Sequence, residues 1–198
     1  MIKNVIFDYG NTLVRFYPDE IIRSFGVAES GNAALLERVL FDRVYWDRLD
    51  DGSLSQEDFK SQVRKNLPFE LHSLSDKICD EWITALPPVE GMHELAQKLK
   101  SNGCKLYILS NISEHFAKNY KKIPLFDIFD GLVFSGEIKL AKPDIRIFEH
   151  ILNKYSLSAN ECVFVDDNEK NISAAKQCNI NAYLFDNAKN AEEFILSL

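Results

Sequence analysis

Five short apolar runs, each continuous rather than alternating, constrain this chain more than any other feature. They are Ile2–Phe7, Lys105–Leu109, Gly131–Phe134, Cys162–Val165 and Ala182–Phe185. A strand with water on one face alternates apolar and polar residues. A run that is apolar at nearly every position needs cover on both faces, which is the pattern of buried parallel strands. Helical stretches separate the last four runs. Met92–Ser101 places Leu95, Ala96 and Leu99 on one side, and Asp144–Tyr155 does the same with Ile147, Phe148, Ile151 and Leu152. Ile172–Gln177 and Ala191–Leu198 are shorter. Strand–helix alternation at this spacing predicts an α/β fold, a doubly wound parallel sheet of Rossmann-like order with right-handed crossovers.

The stretch between the first two runs reads differently. From 15 to 85 the pattern is helical throughout. Leu35, Leu36, Val39, Leu40 and Val44 form one amphipathic stripe, and Ile78, Trp82 and Ile83 supply another apolar face. Ser55 stands as a helix cap with Asp58 three residues on. Pro87-Pro88 marks the return to the sheet. The predicted organisation is an α/β core, 1–14 and 86–198, with an all-helical cap, 15–85, inserted after the first strand. The cap carries 14 acids against 9 bases, so most of the chain's net charge of −7 sits there. With no Lys/Arg-rich run to offset it, nucleic acid and anionic membranes are not expected partners.

No apolar run approaches the roughly 20 residues of a membrane helix. The chain enters its first strand at once, without the pattern of a secretory leader, so a cytoplasmic location is expected. Cys79, Cys104, Cys162 and Cys178 show no metal-binding spacing and read as free thiols.

Four clusters stand at the carboxyl end of the strands of the expected sheet, where such sheets bind ligands. Asp8-Tyr9-Gly10-Asn11-Thr12 follows the first, and Ser110-Asn111 the second. Lys142-Pro143-Asp144 precedes a helix, and Asp166-Asp167-Asn168 follows the fourth run. Each has a local reading: a turn, a helix cap, an exposed lysine, a solvated acidic turn. Together they supply a nucleophilic carboxylate, neutral donors, a cation and an acidic pair that repels itself unless a cation compensates it. Those are the parts of metal-assisted phosphoryl transfer.

In order and spacing these residues resemble the haloacid dehalogenase-like hydrolase superfamily, in the subgroup with a helical cap. Asp8 to Thr12 matches the first motif, Ser110 the second, Lys142 the third and Asp166-Asp167 the fourth. Within it, Phe-Asp-Tyr-Gly-Asn-Thr and Lys142-Pro143-Asp144 look most like a branch containing bacterial α-glucose-1-phosphate phosphatases. The resemblance implies a magnesium-dependent phosphatase acting on a small phosphorylated metabolite through an aspartyl-phosphate on Asp8. It implies magnesium held by Asp8, the Gly10 carbonyl and Asp167. Ser110, Asn111 and Lys142 would hold the phosphoryl group, and Asp166 would orient Lys142. A monomer or weak homodimer is expected. Two other readings stay open at this point: a 2-haloacid dehalogenase, and a catalytically weak phosphate-binding or regulatory protein.

One position departs from the pattern. The superfamily's phosphatases carry a second aspartate two residues after the nucleophile, as acid and then base. Here that residue is Gly10. A sugar 1-phosphate or aryl phosphate, whose leaving group needs less protonation, would soften the loss. Among the histidines only His115 starts near a motif, and Tyr45, Trp46 and Arg48 read as cap core and surface.

Overall fold

The computed structural model describes residues 2–28 and 31–198. Five parallel strands form one sheet: β1 (Asn4–Phe7), β2 (Lys105–Ser110), β3 (Gly131–Phe134), β4 (Cys162–Asp166) and β5 (Asn181–Leu184). Their order is β3-β2-β1-β4-β5, so the chain winds outward from β1 on one side, then crosses back to β4. That reversal beside β1 is the switch point at which doubly wound sheets open a crevice.

The continuous apolar runs are explained by the two faces of the sheet. Val5, Phe7, Leu106, Ile108, Val163 and Val165 enter one core cluster, while Ile6, Tyr107, Leu109 and Phe164 enter the other. Successive side chains point to opposite faces, so each strand feeds both cores. On the second face lie α9 (Ile145–Tyr155) and α10 (Glu169–Gln177). Ile147, Phe148 and Ile151 of α9 are wholly buried, each contributing about 1.5–3 kcal/mol by leaving water. The first face is covered by α6 (Met92–Ser101) and α11 (Ala188–Leu196).

Element ends differ from the periodicity where caps decide them. α9 begins at Ile145 rather than Asp144, because Asp144 caps it, its side chain accepting from the Arg146 amide at 2.9 Å. Asn168 caps α10 and Asn187 caps α11, so both helices begin three residues before their apolar pattern does. β2 and β4 each run one residue further than the apolar run, taking in Ser110 and Asp166.

Between β1 and α6 the chain makes α1 (Pro18–Ser24), α2 (Gly31–Leu40), α3 (Arg43–Asp50), α4 (Gln56–Lys65) and α5 (His72–Glu81), and no strand among the described residues. The expected stripe from Leu35 to Val44 breaks. Asp42 caps a new helix by accepting from the Val44 amide, and Val44 is left 67% exposed. Ser55 caps α4 as expected, accepting from the Asp58 amide while donating to the Asp58 carboxylate. Leu36, Leu40, Phe59, Val63 and Ile78 merge with the first sheet face into one core. The way out and the way back run side by side: the Arg15 amide donates to the Pro87 carbonyl and the Val89 amide to the Leu13 carbonyl. Among the described residues no helix is long and apolar enough to cross a membrane. All four cysteines are free thiols.

A short helix, α8 (Ser135–Ile138), fastens these helices to the sheet. The Ser135 hydroxyl donates to the carbonyl of Asp50, the last residue of α3, and accepts from the Ile112 amide at 2.8 Å. Two glycines make the approach possible. A Cβ on Gly52, whose φ is +71°, would lie 2.6 Å from the Gly136 carbonyl oxygen. A Cβ on Gly136 would lie 2.4 Å from the Glu114 amide nitrogen. Backbone cannot yield cheaply at either point, so Gly136→Ala should destabilise the protein by about 1–3 kcal/mol. Urea unfolding of the variant against the parent measures this; an unchanged midpoint would show the seam to be looser than drawn.

Candidate active site

The site begins with register. Phe7 pairs with Val165 across β1 and β4, and the Asp8 amide donates to the Val165 carbonyl at 2.9 Å. The next residue on each strand is an aspartate, so Asp8 and Asp166 emerge side by side at the switch point. Between them stands Lys142. Its Nζ lies 2.8 Å from Asp8 Oδ1 and 2.7 Å from Asp166 Oδ2, with its side chain only 1% exposed. The ammonium also sits over the Phe164 ring, 5.2 Å from its centre.

Each partner is braced. Asn111 uses both ends of its amide on the Lys142 backbone: Nδ2 donates to the Lys142 carbonyl at 2.8 Å, and Oδ1 accepts from the Lys142 amide at 2.7 Å. Ser110 and Asn111 do not cap the following helix, α7 (Glu114–Asn119); Ser113 does. Asp166 accepts from the Asn168 amide at 2.8 Å and from the Asn171 side chain at 2.9 and 3.0 Å, besides Lys142. Its oxygens are therefore fully engaged, and it is wholly enclosed. Asp167 is exposed by contrast, yet one oxygen from each of Asp8, Asp166 and Asp167 falls within 4.8 Å of the others.

Charge does not balance here. Burial pushes the Asp8 carboxyl up to about 6; Lys142 opposes this and Asp166 adds to it. Asp167 is also raised, by burial and by the charge of Asp166. Burial works to neutralise Lys142, but the two carboxylates overcome it and hold its ammonium above the ordinary value. Three acids against one ammonium leave negative charge uncompensated, which is the condition a bound cation relieves.

A cavity of about 520 Å³ opens over this group. Asp8, Gly10, Ser110, Asn111, Lys142 and Asp167, the residues singled out in the sequence, all line it except the enclosed Asp166. Gly10 has ordinary backbone angles, and a Cβ there would meet only Phe16 Cβ, at 3.9 Å. His115 does not line the cavity; its ring faces the Asp80 carbonyl at 3.4 Å. Of the three cap residues noted, Trp46 reaches the cavity, whereas Tyr45 and Arg48 do not.

The sequence reading missed several wall residues. Arg43, Asp47 and Asp50 reach the cavity with Trp46 from one face of α3, and Phe16 and Trp82 complete the aromatic side. Their i, i+3, i+4, i+7 spacing was a visible signal. Asn11 was also missed. It takes the left-handed conformation, φ 52°, which asparagine tolerates better than most residues. Its side chain accepts from the Phe16 amide at 3.0 Å, and it works against the rise in the Asp167 carboxyl.

Removing the ammonium strands two buried carboxylates, so Lys142→Met should cost about 3–5 kcal/mol. Asp8→Asn should do the reverse in chelator. A folded-state pKa near 6 against 3.8 unfolded means that wild type loses stability through this group as pH rises from about 4 to 6. The asparagine escapes that loss, so the variant should melt higher at pH 7.5 and near wild type at pH 4. Thermal melts at both pH values check this; a destabilised Asp8→Asn at pH 7.5 would contradict it.

The comparisons with known proteins agree with this geometry. A sesquiterpene phosphatase of Aspergillus oryzae is 25% identical over 175 residues, covering 88% of this chain and 85% of the relative. A D-ribitol-5-phosphate phosphatase of Bacteroides thetaiotaomicron is 26% identical over 196 residues, covering 92% of this chain and 91% of the relative. A solved structure of a HAD family enzyme from Bacteroides thetaiotaomicron, in complex with magnesium and inorganic phosphate, matches with a TM-score of 0.72. Its identity is 25%, and the match covers 94% of this chain and 96% of that one. The family profile of haloacid dehalogenase-like hydrolases spans residues 2–179, and with the strand order and the clustered Asp8, Lys142 and Asp166 it places this chain among the haloacid dehalogenase-like hydrolases.

Proposed function

We propose that this hydrolase is a magnesium-dependent phosphatase of small phosphomonoesters, with residues 15–85 serving as a helical cap over the substrate. The observation that carries the reading is the buried Asp8–Lys142–Asp166 group, with its surplus of negative charge, facing an open cavity. The clustered carboxylate oxygens fit a hard divalent cation, which prefers oxygen ligands. Asp8, the Gly10 carbonyl and Asp167 would hold magnesium, which when bound supplies positive charge to the nucleophile and to the transferring phosphoryl group. A dehalogenase has no use for that surplus, and the acidic pair would then be an uncompensated cost.

Asp8 attacks phosphorus in line, and the bond to the leaving oxygen breaks. Water then cleaves the aspartyl-phosphate and frees the carboxylate. Lys142 stays charged throughout, held so by two carboxylates, and neutralises Asp8 and the non-bridging oxygens. The Ser110 hydroxyl shares those oxygens. The Asn111 side chain acts through Lys142 by fixing its backbone. Positioning and electrostatics supply most of the acceleration. Beyond the phosphate, the cavity offers the charged Arg43, Asp47 and Asp50 and the aromatic Phe16, Trp46 and Trp82. That mixture suits a polyol or sugar, which presents hydroxyls at its edges and C–H groups on its faces; a sugar 1-phosphate is one such substrate.

Turnover of p-nitrophenyl phosphate that requires magnesium and stops with chelator tests the reading. Asp8→Asn should abolish it while leaving the circular dichroism unchanged. In calorimetric titrations Asp167→Asn should weaken magnesium binding more than Asp166→Asn, because the oxygens of Asp166 are already engaged. Equal losses would place both residues on the metal.

A further inference from the structure

Taking the phosphatase reading as its premise, we propose that Asp50, at the end of α3, is the general acid and base that position 10 lacks. Gly10 leaves the loop after the nucleophile without a carboxylate. Asp50 lines the same cavity as Asp8, Ser110 and Lys142, and it reaches that cavity from the cap side, away from the nucleophile's own loop.

Three acids of α3 and its end face this region, and two are committed elsewhere. Asp47 pairs with Arg43 at 2.7 Å. Asp51 accepts from the Ser53 amide at 2.8 Å. The Asp50 carboxylate has neither a hydrogen bond nor an ion pair among the described residues, so it is free to serve a ligand. Its backbone, by contrast, is fixed: the carbonyl accepts from Ser135, whose hydroxyl also takes the Ile112 amide of the loop after Ser110. The acid is thus held in register with the loop that would grip the phosphoryl oxygens. Burial first, then the charges of Asp47, Asp8 and Asp51, raise its carboxyl well above the ordinary value, with Arg43 opposing them. A protonated carboxyl is the form an acid needs at the first step.

The step balances as follows. Asp8 Oδ forms a bond to phosphorus as the bond to the leaving oxygen breaks. The leaving oxygen keeps that electron pair and takes the proton of Asp50. In the second half the Asp50 carboxylate takes a proton from water as the water oxygen attacks phosphorus. The Asp8–phosphorus bond breaks, its pair returns to the carboxylate, and Asp50 ends protonated as it began.

The experiment compares wild type, Asp50→Asn and Asp50→Asn with Gly10→Asp. The probes are a sugar 6-phosphate, whose leaving alkoxide needs a proton, and p-nitrophenyl phosphate, whose leaving group does not. Asp50→Asn should lower kcat on the sugar phosphate by about 10²–10⁴-fold. On p-nitrophenyl phosphate it should keep the first burst of nitrophenolate but slow the steady state, because only hydrolysis of the phosphoenzyme then lacks its base. Gly10→Asp should restore part of the sugar-phosphate rate, since its Cβ has room and it returns a carboxylate from the other side. Wild-type kcat on the sugar phosphate in Asp50→Asn would overturn the proposal. So would a burst and steady state lost together, which marks a structural role that circular dichroism would show. If wild type hydrolyses neither probe with magnesium, the phosphatase reading fails and this proposal falls with it.

Discussion

A single ammonium held between two buried carboxylates governs the rest of this structure. Lys142 meets Asp8 at 2.8 Å and Asp166 at 2.7 Å where almost no water reaches. Such an arrangement does not stabilise a fold cheaply. Desolvating charged groups can cost more than their attraction returns, and an apolar packing of equal volume is often as stable. The surroundings offset that cost. The β1–β4 register brings the two aspartates to one level, and Asn111 clamps the lysine backbone from β2. Phe164 lies beneath the ammonium, and Asn171 saturates the far carboxylate. These contacts converge on one lysine and its partner carboxylates, and the sheet order that makes this possible is the one with β1 at its centre.

Saturation also divides the labour between the acids. Asp166 has its oxygens filled by Lys142, Asn168 and Asn171, so its role is to hold the lysine. Asp167 is exposed and open to the cavity. Asp8 lies between these cases, tied by one oxygen and raised by burial. Two adjacent aspartates with the same chemistry thus acquire different environments, one inside the protein's network and one at its edge. On the proposed mechanism a bound cation and phosphoryl oxygens would act on the groups at the edge, and the enclosed pair would set the geometry they meet.

The sheet was legible because burial on both faces writes itself as an unbroken apolar run, and three of the four motifs because each stands directly after such a run. Ser110 and Asp166 were legible even though they lie inside strands, since polar residues at the end of an apolar run stand out. What the sequence concealed was determined by caps and by long-range contacts. Asp42 ends one amphipathic pattern and starts another, which turns Val44 outward. Asn111 looks like a helix cap and instead grips a residue 31 positions away. Ser135 and Gly136 carry no local signal at all, because their value is a contact between α3 and the loop after β2. Periodicity reports what a segment buries, not which partner buries it.

The seam at Ser135 bears on why an acid can move from one end of a site to the other. An acid two residues after the nucleophile shares its loop, so its placement follows from β1 alone. An acid on α3 can serve only if α3 is fixed relative to the phosphate-gripping loop. In this chain the Ile112 amide, the Ser135 hydroxyl and the Asp50 carbonyl form one hydrogen-bonded line, with two glycines bringing the backbones into contact beside it. The line ties the loop after Ser110 and the end of α3 to the same side chain, so a shift in either is a shift in both. Precision of this kind matters because misplacing a reacting group by an ångström can cost about 10²-fold in rate. On the proposed mechanism, a glycine at position 10 and an aspartate at position 50 with a fixed backbone would be one design: the first would clear the space beside the nucleophile, and the second would bring a carboxylate to it from α3.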